Sequence, residues 1–292
     1  MSSLKEIKGR IASVKSTQKI TSAMKMVASA KLHKAQSQIE QFLPYEHRLT
    51  SILSDFLSGY SEEEFSSVFS ETREIQRVAI VALTSNSSLC GAFNSNIINH
   101  LHESINKYRT VNCEIEVYPV GKKVEEAVRK LTIPVEIKGS FIPLMDKPAF
   151  EGAKEIADAL MNDFLANKID RVDLIYNHFK SAGIQIPTEE SFLPVNLMKP
   201  TEAKSIPTDY LIEPHRKTLL ETLIPRSLRS KIFAILLDSA AAEHAARVVA
   251  MQIATDNADE ILNELTLQYN KQRQQSITNE LLDIIGGSEA LK

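Results

Sequence analysis

Arg226 to Ile285 reads RSLRSKIFAILLDSAAAEHAARVVAMQIATDNADEILNELTLQYNKQRQQSITNELLDII, 60 residues with neither proline nor glycine. Apolar residues recur in it at helical spacing. Leu228, Ile232 and Ile235 lead into Ala242, Ala246, Val249 and Ile253, then Leu262 and Leu265, then Ile277, Leu281 and Ile284. Eight alanines fall between 240 and 258. Alanine has the highest helix propensity, and on a seam it lets two backbones approach closely. The stretch predicts one helix reaching about 90 Å at ~1.5 Å per residue, with Gly286-Gly287 as its stop. One globular domain cannot cover such a helix, so it needs a partner of similar length.

The opposite end of the chain supplies one. Residues 10–43 also lack proline and glycine. Leu4, Ile7, Ile11 and Val14 step by 3, 4 and 3; Ile20, Met24 and Val27 continue the run. Ala28, Leu32, Ala35, Ile39 and Phe42 then step by 4, 3, 4 and 3, a heptad-like stripe. Between these runs the seam is expected to shift face, so an imperfect coiled coil is predicted. Pro44 predicts a kink or a tightened turn. The period resumes at Leu49, Ile52, Leu53 and Phe56, and Gly59 is the expected stop. Charge agrees with an antiparallel pairing. Residues 1–36 hold eight Lys/Arg against Glu6, whereas residues 255–292 hold seven acids against Lys271, Arg273 and Lys292.

Between the flanks lie the prolines and six of the nine glycines, from 44 to 225. Residues 78–83, VAIVAL, form a continuous apolar run, the pattern of a strand buried on both faces. A helix over 97–108, a strand over 114–118, a helix over 122–131 and a short strand over 135–137 follow. Residues 148–167 predict a helix with Pro148 near its first position, and 171–180 with 184–195 predict a strand pair around Ala182-Gly183. Strands alternating with helices indicate an open, mostly parallel sheet. The expected fold is α/β with long helical extensions. Its N- and C-terminal helices form an antiparallel coiled coil, over 1–58 and 209–287, around an α/β, Rossmann-like domain over 70–205.

The composition is that of a globular chain: 43% hydrophobic, 24% charged, 6% aromatic, no tryptophan, net charge −3. Two cysteines, Cys90 and Cys113, make no disulfide framework. No run of apolar residues is long enough for a membrane span, and no signal-peptide core is present.

An α/β domain invites a nucleotide-binding reading, but GxxxxGK[ST] and GxGxxG are both missing. The turn after the first strand, Thr84-Ser85-Asn86-Ser87-Ser88-Leu89-Cys90-Gly91, holds one glycine; an anion site at the next helix N-terminus is weighed against a capped turn, and the capped turn is preferred. Cys90 reads as a buried, inert thiol, since no motif places a histidine beside it. His100 and His102, two apart on a helix, face differently; HExxH and CxxC are missing, so no metal site is expected. Glu62-Glu63-Glu64 reads as a solvated loop or helix end. The basic first helix lacks stacking aromatics, which argues against nucleic acid. No cofactor and no catalytic residue are expected.

Three strings carry a family resemblance. Residues 11–31, IASVKSTQKITSAMKMVASAK, 243–258, EHAARVVAMQIATDNA, and 269–287, YNKQRQQSITNELLDIIGG, closely resemble the terminal helices of gamma subunits of F-type ATP synthases. Leu89-Cys90-Gly91 with Asn94, and Tyr210-Leu-Ile-Glu-Pro214, are similar to the family's first turn and last-helix entry. Asn86, Ser88 and Ser288 stand where the family usually has an acid, a glycine and an alanine. The cysteine-bearing regulatory insertion of chloroplast relatives has no counterpart.

The resemblance implies a non-catalytic shaft, one copy per complex, inside a ring of three alpha and three beta subunits. Its α/β foot would meet the epsilon subunit and the membrane rotor ring of c subunits. Nucleotide and magnesium would bind elsewhere in the complex. Arg10, Lys19 and Met24 would face acidic beta-subunit loops; Arg273, Gln274, Thr278 and Glu280 would touch the inner wall of the ring; Tyr210 and Glu213 would meet the rotor ring. Packing against the C-terminal helix is an equal reading for Met24. The implied place is the cytoplasmic face of a bacterial inner membrane, reached through partners. The competing readings are a coiled-coil adaptor displaying an α/β head, and an α/β enzyme with helical extensions.

Overall fold

The computed structural model describes residues 4–58, 68–131, 134–195 and 216–290. In chain order they form α1 (Leu4–Ser58), a 3-10 turn (Val68–Ser70), β1 (Arg77–Leu83), α2 (Phe93–Thr110), β2 (Glu114–Val120) and α3 (Lys122–Val128). Then come β3 (Glu136–Ile137), α4 (Ile142–Asp146), α5 (Phe150–Leu165), β4 (Arg171–Ser181), β5 (Ile184–Leu193) and α6 (Arg216–Ala290). The chain divides into two compact units: Met1–Ala28 with Arg247–Lys292, and Ser29–Ala246. α1 and α6 contribute to both.

The larger unit is built on one five-stranded sheet in the order β3-β2-β1-β4-β5. β1 runs parallel to β2 and β4, β2 parallel to β3, and only β5 is antiparallel, to β4. β1 explains why its sequence is apolar without alternation. Ala79, Val81 and Leu83 face one core with α5 and α6; Val78, Ile80 and Ala82 face a second with α2 and α3. Successive side chains point to opposite faces of a strand, so a sheet covered on both faces needs apolar residues at both parities. From α5, Ile156, Leu160 and Phe164 enter the first core, joined by Ile224, Leu228, Ile232 and Ile235 of α6. Each fully buried side chain of this size contributes about 1.5–3 kcal/mol. Arg229 of α6 donates to Asp158 of α5 at 2.6 Å, tying the two helices at their polar edge. α1 and α6 also run antiparallel here: Phe42 meets Phe233 edge-on at 5.0 Å, and Arg226 donates to the Tyr45 hydroxyl at 2.7 Å.

The smaller unit is a pair of helices. Partner numbers fall as residue numbers rise: Gln18 bonds Asp259, Thr21 meets Thr255 and Lys25 bonds Gln252. The expected antiparallel pairing is therefore present. Its seam differs from the expected one. Ile20 and Val27 are 56% and 59% exposed, and Ile253 opposite is exposed as well. In this unit a line of buried and half-buried positions of α1 runs through Leu4, Ile7, Ile11, Val14, Gln18, Thr21, Lys25 and Ala28 in alternating steps of 3 and 4, with Ser22 and Met24 half-buried beside it. On α6 the facing line includes Met251, Thr255, Ala258, Leu262, Leu265 and Tyr269, with Gln252, Ala254, Gln272 and Ser276 among the other half-buried positions. The seam does not shift face; it turns polar. Hydrophobicity pointed to the wrong stripe because the outward side chains of this stretch are more apolar than the inward ones.

Other boundaries moved. α6 continues through Gly286-Gly287 to Ala290, since each glycine costs only about 1 kcal/mol within a helix and does not by itself stop one. α5 starts at Phe150 after the cap Ala149, leaving Pro148 outside; the proline at a first helical turn is Pro143, in the unanticipated α4. Pro44 and Pro225 lie inside α1 and α6. Ala242 and Ala246 pack on Cys90 and Phe93 of the sheet domain. Ile277, Leu281 and Ile284 are exposed: the register set by Gln18–Asp259 places them past the described start of α1.

Candidate functional site

The helix pair of the smaller unit carries the sequence-predicted contact residues. Arg10, Lys19, Arg273, Gln274, Thr278 and Glu280 are all exposed, and Met24 is half-buried beside the seam positions Thr21 and Lys25. Tyr210 and Glu213 lie outside the described residues, as do Glu62, Glu63 and Glu64. The exposed set presents basic groups on α1 and apolar ones on α6, where Leu281, Leu282, Ile284 and Ile285 face outward. A monomer gains nothing by presenting adjacent large apolar side chains to water; such a surface is one that a partner covers.

Behind these faces, the polar stretch of the seam holds the two helices by hydrogen bonds. Lys25 Nζ donates to Gln252 Oε1 at 2.5 Å, and Gln252 Nε2 donates to Asp256 at 2.7 Å. Thr21 and Thr255 hydroxyls lie 2.9 Å apart, and each also reaches a carbonyl of its own helix, Gln18 at 3.0 Å and Met251 at 2.8 Å. A hydroxyl has one hydrogen, so one threonine bonds back while the other donates across. Sequence reasoning missed Gln18, Thr21, Lys25, Gln252 and Thr255. Strict 3- and 4-residue steps, followed without regard to polarity, would have found the α1 members.

A hydrogen-bonded pair replaced on both sides by apolar isosteres removes desolvation as well as the bond. Thr21→Val together with Thr255→Val is therefore expected to stabilise the full chain by up to about 1 kcal/mol. Either single change should be close to neutral. The measurement is the urea midpoint of the helical circular dichroism; a double variant weaker than both singles would contradict the expectation.

In the larger unit, the place where a doubly wound sheet binds ligands is the crevice at the carboxyl ends of the strands where the chain reverses direction. Here that is between β1 and β4, and it is filled. Cys90 and Phe93 pack there against Ala242 and Ala246 of α6, with Phe179 beside them. Asn177 Nδ2 donates to the Phe93 carbonyl at 3.0 Å. The polar groups of the turn are spent on the fold. Thr84 Oγ1 accepts from Val124 N at 2.8 Å, Asn94 Oδ1 from Ser85 N at 3.0 Å, and Asn86 Oδ1 from Lys122 N at 2.9 Å. Asn86 Nδ2 donates to Asp146 at 2.7 Å. Cys90 is buried, and Asn94 Nδ2 donates to its sulfur at 3.2 Å. The turn's side chains thus bind the start of α3 and the end of α4, whereas α2, the helix that follows the turn, has Ala92 at its N-cap and no side-chain cap. His100 pairs with Glu189 at 3.2 Å, and among the described residues no three His, Cys, Asp or Glu side chains converge as a metal set. Nor is any described helix long and apolar enough to cross a membrane.

The ATP synthase family profile matches residues 3–291. The ATP synthase gamma chain of Azobacteroides pseudotrichonymphae is 57% identical over 293 residues, covering 100% of both chains. That of Phocaeicola vulgatus is 55% identical over 293 residues, covering 99% of this chain and 100% of the relative. Among solved structures, the central stalk of the Tetrahymena thermophila mitochondrial ATP synthase superposes with a TM-score of 0.59 at 26% identity, over 80% of this chain and 99% of that one. A rotor chain of the Euglena gracilis mitochondrial enzyme shares the fold, with a TM-score of 0.59 at 18% identity over 94% and 98%. With paired antiparallel terminal helices, a filled sheet crevice and an end-to-end match to these relatives, the chain belongs to the ATP synthase gamma-chain family.

Proposed function

We propose that the chain is the central-stalk rotor shaft of an F-type ATP synthase, coupling rotation of the membrane c ring to ATP synthesis at the beta subunits. It has no catalytic site of its own. The paired helices turn inside the ring of alpha and beta subunits, and the α/β domain, with the epsilon subunit, joins the c ring at the cytoplasmic face of a bacterial inner membrane. The observation that carries this reading is the helix pair itself: hydrogen bonds inside, and basic and apolar side chains outside. Such an element acts by differential contacts, stabilising one conformation of each surrounding subunit in turn. Arg10, Lys19 and Met24 are the proposed contacts to acidic beta-subunit loops, Arg273, Gln274, Thr278 and Glu280 the contacts to the ring wall, and Tyr210 and Glu213 the contacts to the c ring.

Reconstitution with the cognate alpha and beta subunits tests the reading. A complex holding one copy, with ATPase activity well above that of the subunits alone, is expected; failure to join the complex would overturn it. In membranes carrying the whole enzyme, Met24→Lys adds a cation to an already basic helix beside moving partners. Proton pumping is expected to fall several-fold more than ATP hydrolysis, because the added charge attracts acidic loops in only some rotor positions. An unchanged ratio of pumping to hydrolysis would remove Met24 from the contact set.

A further inference from the structure

Within the larger unit, α1, β4, β5 and α6 enclose an open groove of about 400 Å³ that the shaft reading does not use. Its walls are apolar and partly aromatic: Ile39 and Phe42 from α1, Tyr176 and Phe179 from β4, Ile235 from α6. This volume and lining are those of a small-molecule site. Its charges are unbalanced. Three carboxylates line it, Glu46, Glu190 and Asp238, against Lys231 and the His178 imidazole. Lys231 lies 3.5 Å from Glu190, and His178 Nδ1 lies 2.7 Å from Asp238, so both bases are already committed. Asp238 also accepts from Phe179 N at 3.1 Å. Glu46 accepts from the Thr50 hydroxyl at 3.0 Å, a neutral donor, and its other oxygen lies 3.9 Å from the exposed His47 imidazole. Burial pushes the Asp238 carboxyl up, against the pull of His178 and the Phe179 N–H.

We propose that this groove binds a small apolar cation, an aromatic or alkyl primary ammonium, with its hydrocarbon between Phe42 and Phe179 and its ammonium toward Glu46. The aromatic walls take the hydrocarbon and also favour a cation at their faces. The excess carboxylate selects against neutral and anionic analogues of the same shape. A ligand seated there bridges α1, β4 and α6, three elements far apart in sequence.

The test uses the full chain with phenethylamine, phenethyl alcohol and phenylacetate as probes, followed by saturation-transfer NMR and thermal unfolding. Phenethylamine is expected to bind with a dissociation constant on the order of 1 mM, as suits so few atoms. It should raise the unfolding temperature, while the alcohol binds roughly tenfold more weakly and phenylacetate gives no signal. Glu46→Lys, a change at the groove's outer edge, should weaken the amine about tenfold and leave the alcohol unchanged. Ala234→Phe fills the groove and should abolish both signals; if that variant does not fold, Glu46→Lys decides. Equal binding of amine and alcohol, no binding of either, or an amine signal indifferent to Glu46→Lys would each overturn the proposal.

Discussion

Gly121→Ala unfolds the sheet domain more readily than a change at any other described glycine. Gly121 follows β2 and precedes α3, at a φ of +105° that side chains rarely adopt. A Cβ there would lie 1.9 Å from the Thr84 carbonyl oxygen and 2.8 Å from its carbon. These are backbone atoms, and they are held. Thr84 N donates to Val120 O at 2.9 Å, and Thr84 Oγ1 accepts from Val124 N at 2.8 Å. Neither side can yield without separating the ends of β1 and β2, which are paired Leu83 to Val120. Strain and overpacking together are expected to cost roughly 3 kcal/mol or more. Gly91 provides the comparison, with a φ of +59° and nothing within 4 Å of its Cβ position. Gly91→Ala carries conformational strain alone, about 1–2 kcal/mol. Urea unfolding of the two variants separates the effects; a Gly121 variant no weaker than the Gly91 variant would show that the β1–β2 turn gives way easily.

Alkaline solution should unfold the same domain steeply. Burial raises the phenols of Tyr108, Tyr118 and Tyr176 well above the usual tyrosine range. A carboxylate beside each adds to the rise: Asp173 at Tyr108, Asp163 at Tyr118 and Glu190 at Tyr176. Tyr108 donates to Asp173, a fully buried carboxylate that also accepts from Arg171 Nε at 2.9 Å. Ionising such a phenol sets a phenolate against a carboxylate with little water between. The unfolded chain releases these protons near pH ~10, whereas the folded chain retains them. The stability these groups contribute is fully present below that pH and is lost as pH rises toward the folded values. Each group removes about 1.4 kcal/mol per pH unit, so three together remove about 4 kcal/mol per unit. Tyr108, Tyr118 and Tyr176 should accordingly ionise only together with loss of the circular dichroism signal, so that a step in phenolate absorbance coincides with unfolding. Tyr108→Phe should lower the slope by about a third. Phenolate absorbance that is complete before the circular dichroism signal is lost would be incompatible with this account.

The two predictions draw on different kinds of legibility. The tyrosines could be assigned to strands and a helix from pattern alone, because Tyr118 lies in an alternating run and Tyr108 ends an apolar helical stripe. Their carboxylate partners could not: Asp173 is 65 residues from Tyr108, and strand pairing brings them together. Gly121 was visible as a turn residue after Pro119, but the carbonyl it must clear belongs to Thr84, at the end of another strand.

The candidate contact residues show the same division. Lys19, Arg273 and Thr278 lie in the motif strings and Arg10 just before the first of them, and all are exposed on the helix pair. The seam beneath them was misread at Ile20 and Val27. Hydrophobicity is a property of the residue, but facing inward is a property of the pair, settled by Thr255, Gln252 and Asp259 more than 200 residues away.

By itself the sequence determined that two breaker-free flanks are helices, that residues 78–83 form a strand buried on both faces, and that the flanks pair with opposite direction. These follow from local period, from the placement of proline and glycine, and from net charge, all of which act over a few residues or over a whole helix. Only the tertiary structure decided which stripe of α1 faces α6, that Ala242 and Ala246 close the sheet crevice, that α4 forms, and that a groove opens between α1, β4 and α6. Each of those depends on side-chain shape and hydrogen bonding between segments distant in the chain, where packing free energies exceed the ~1 kcal/mol preferences that a single residue expresses on its own.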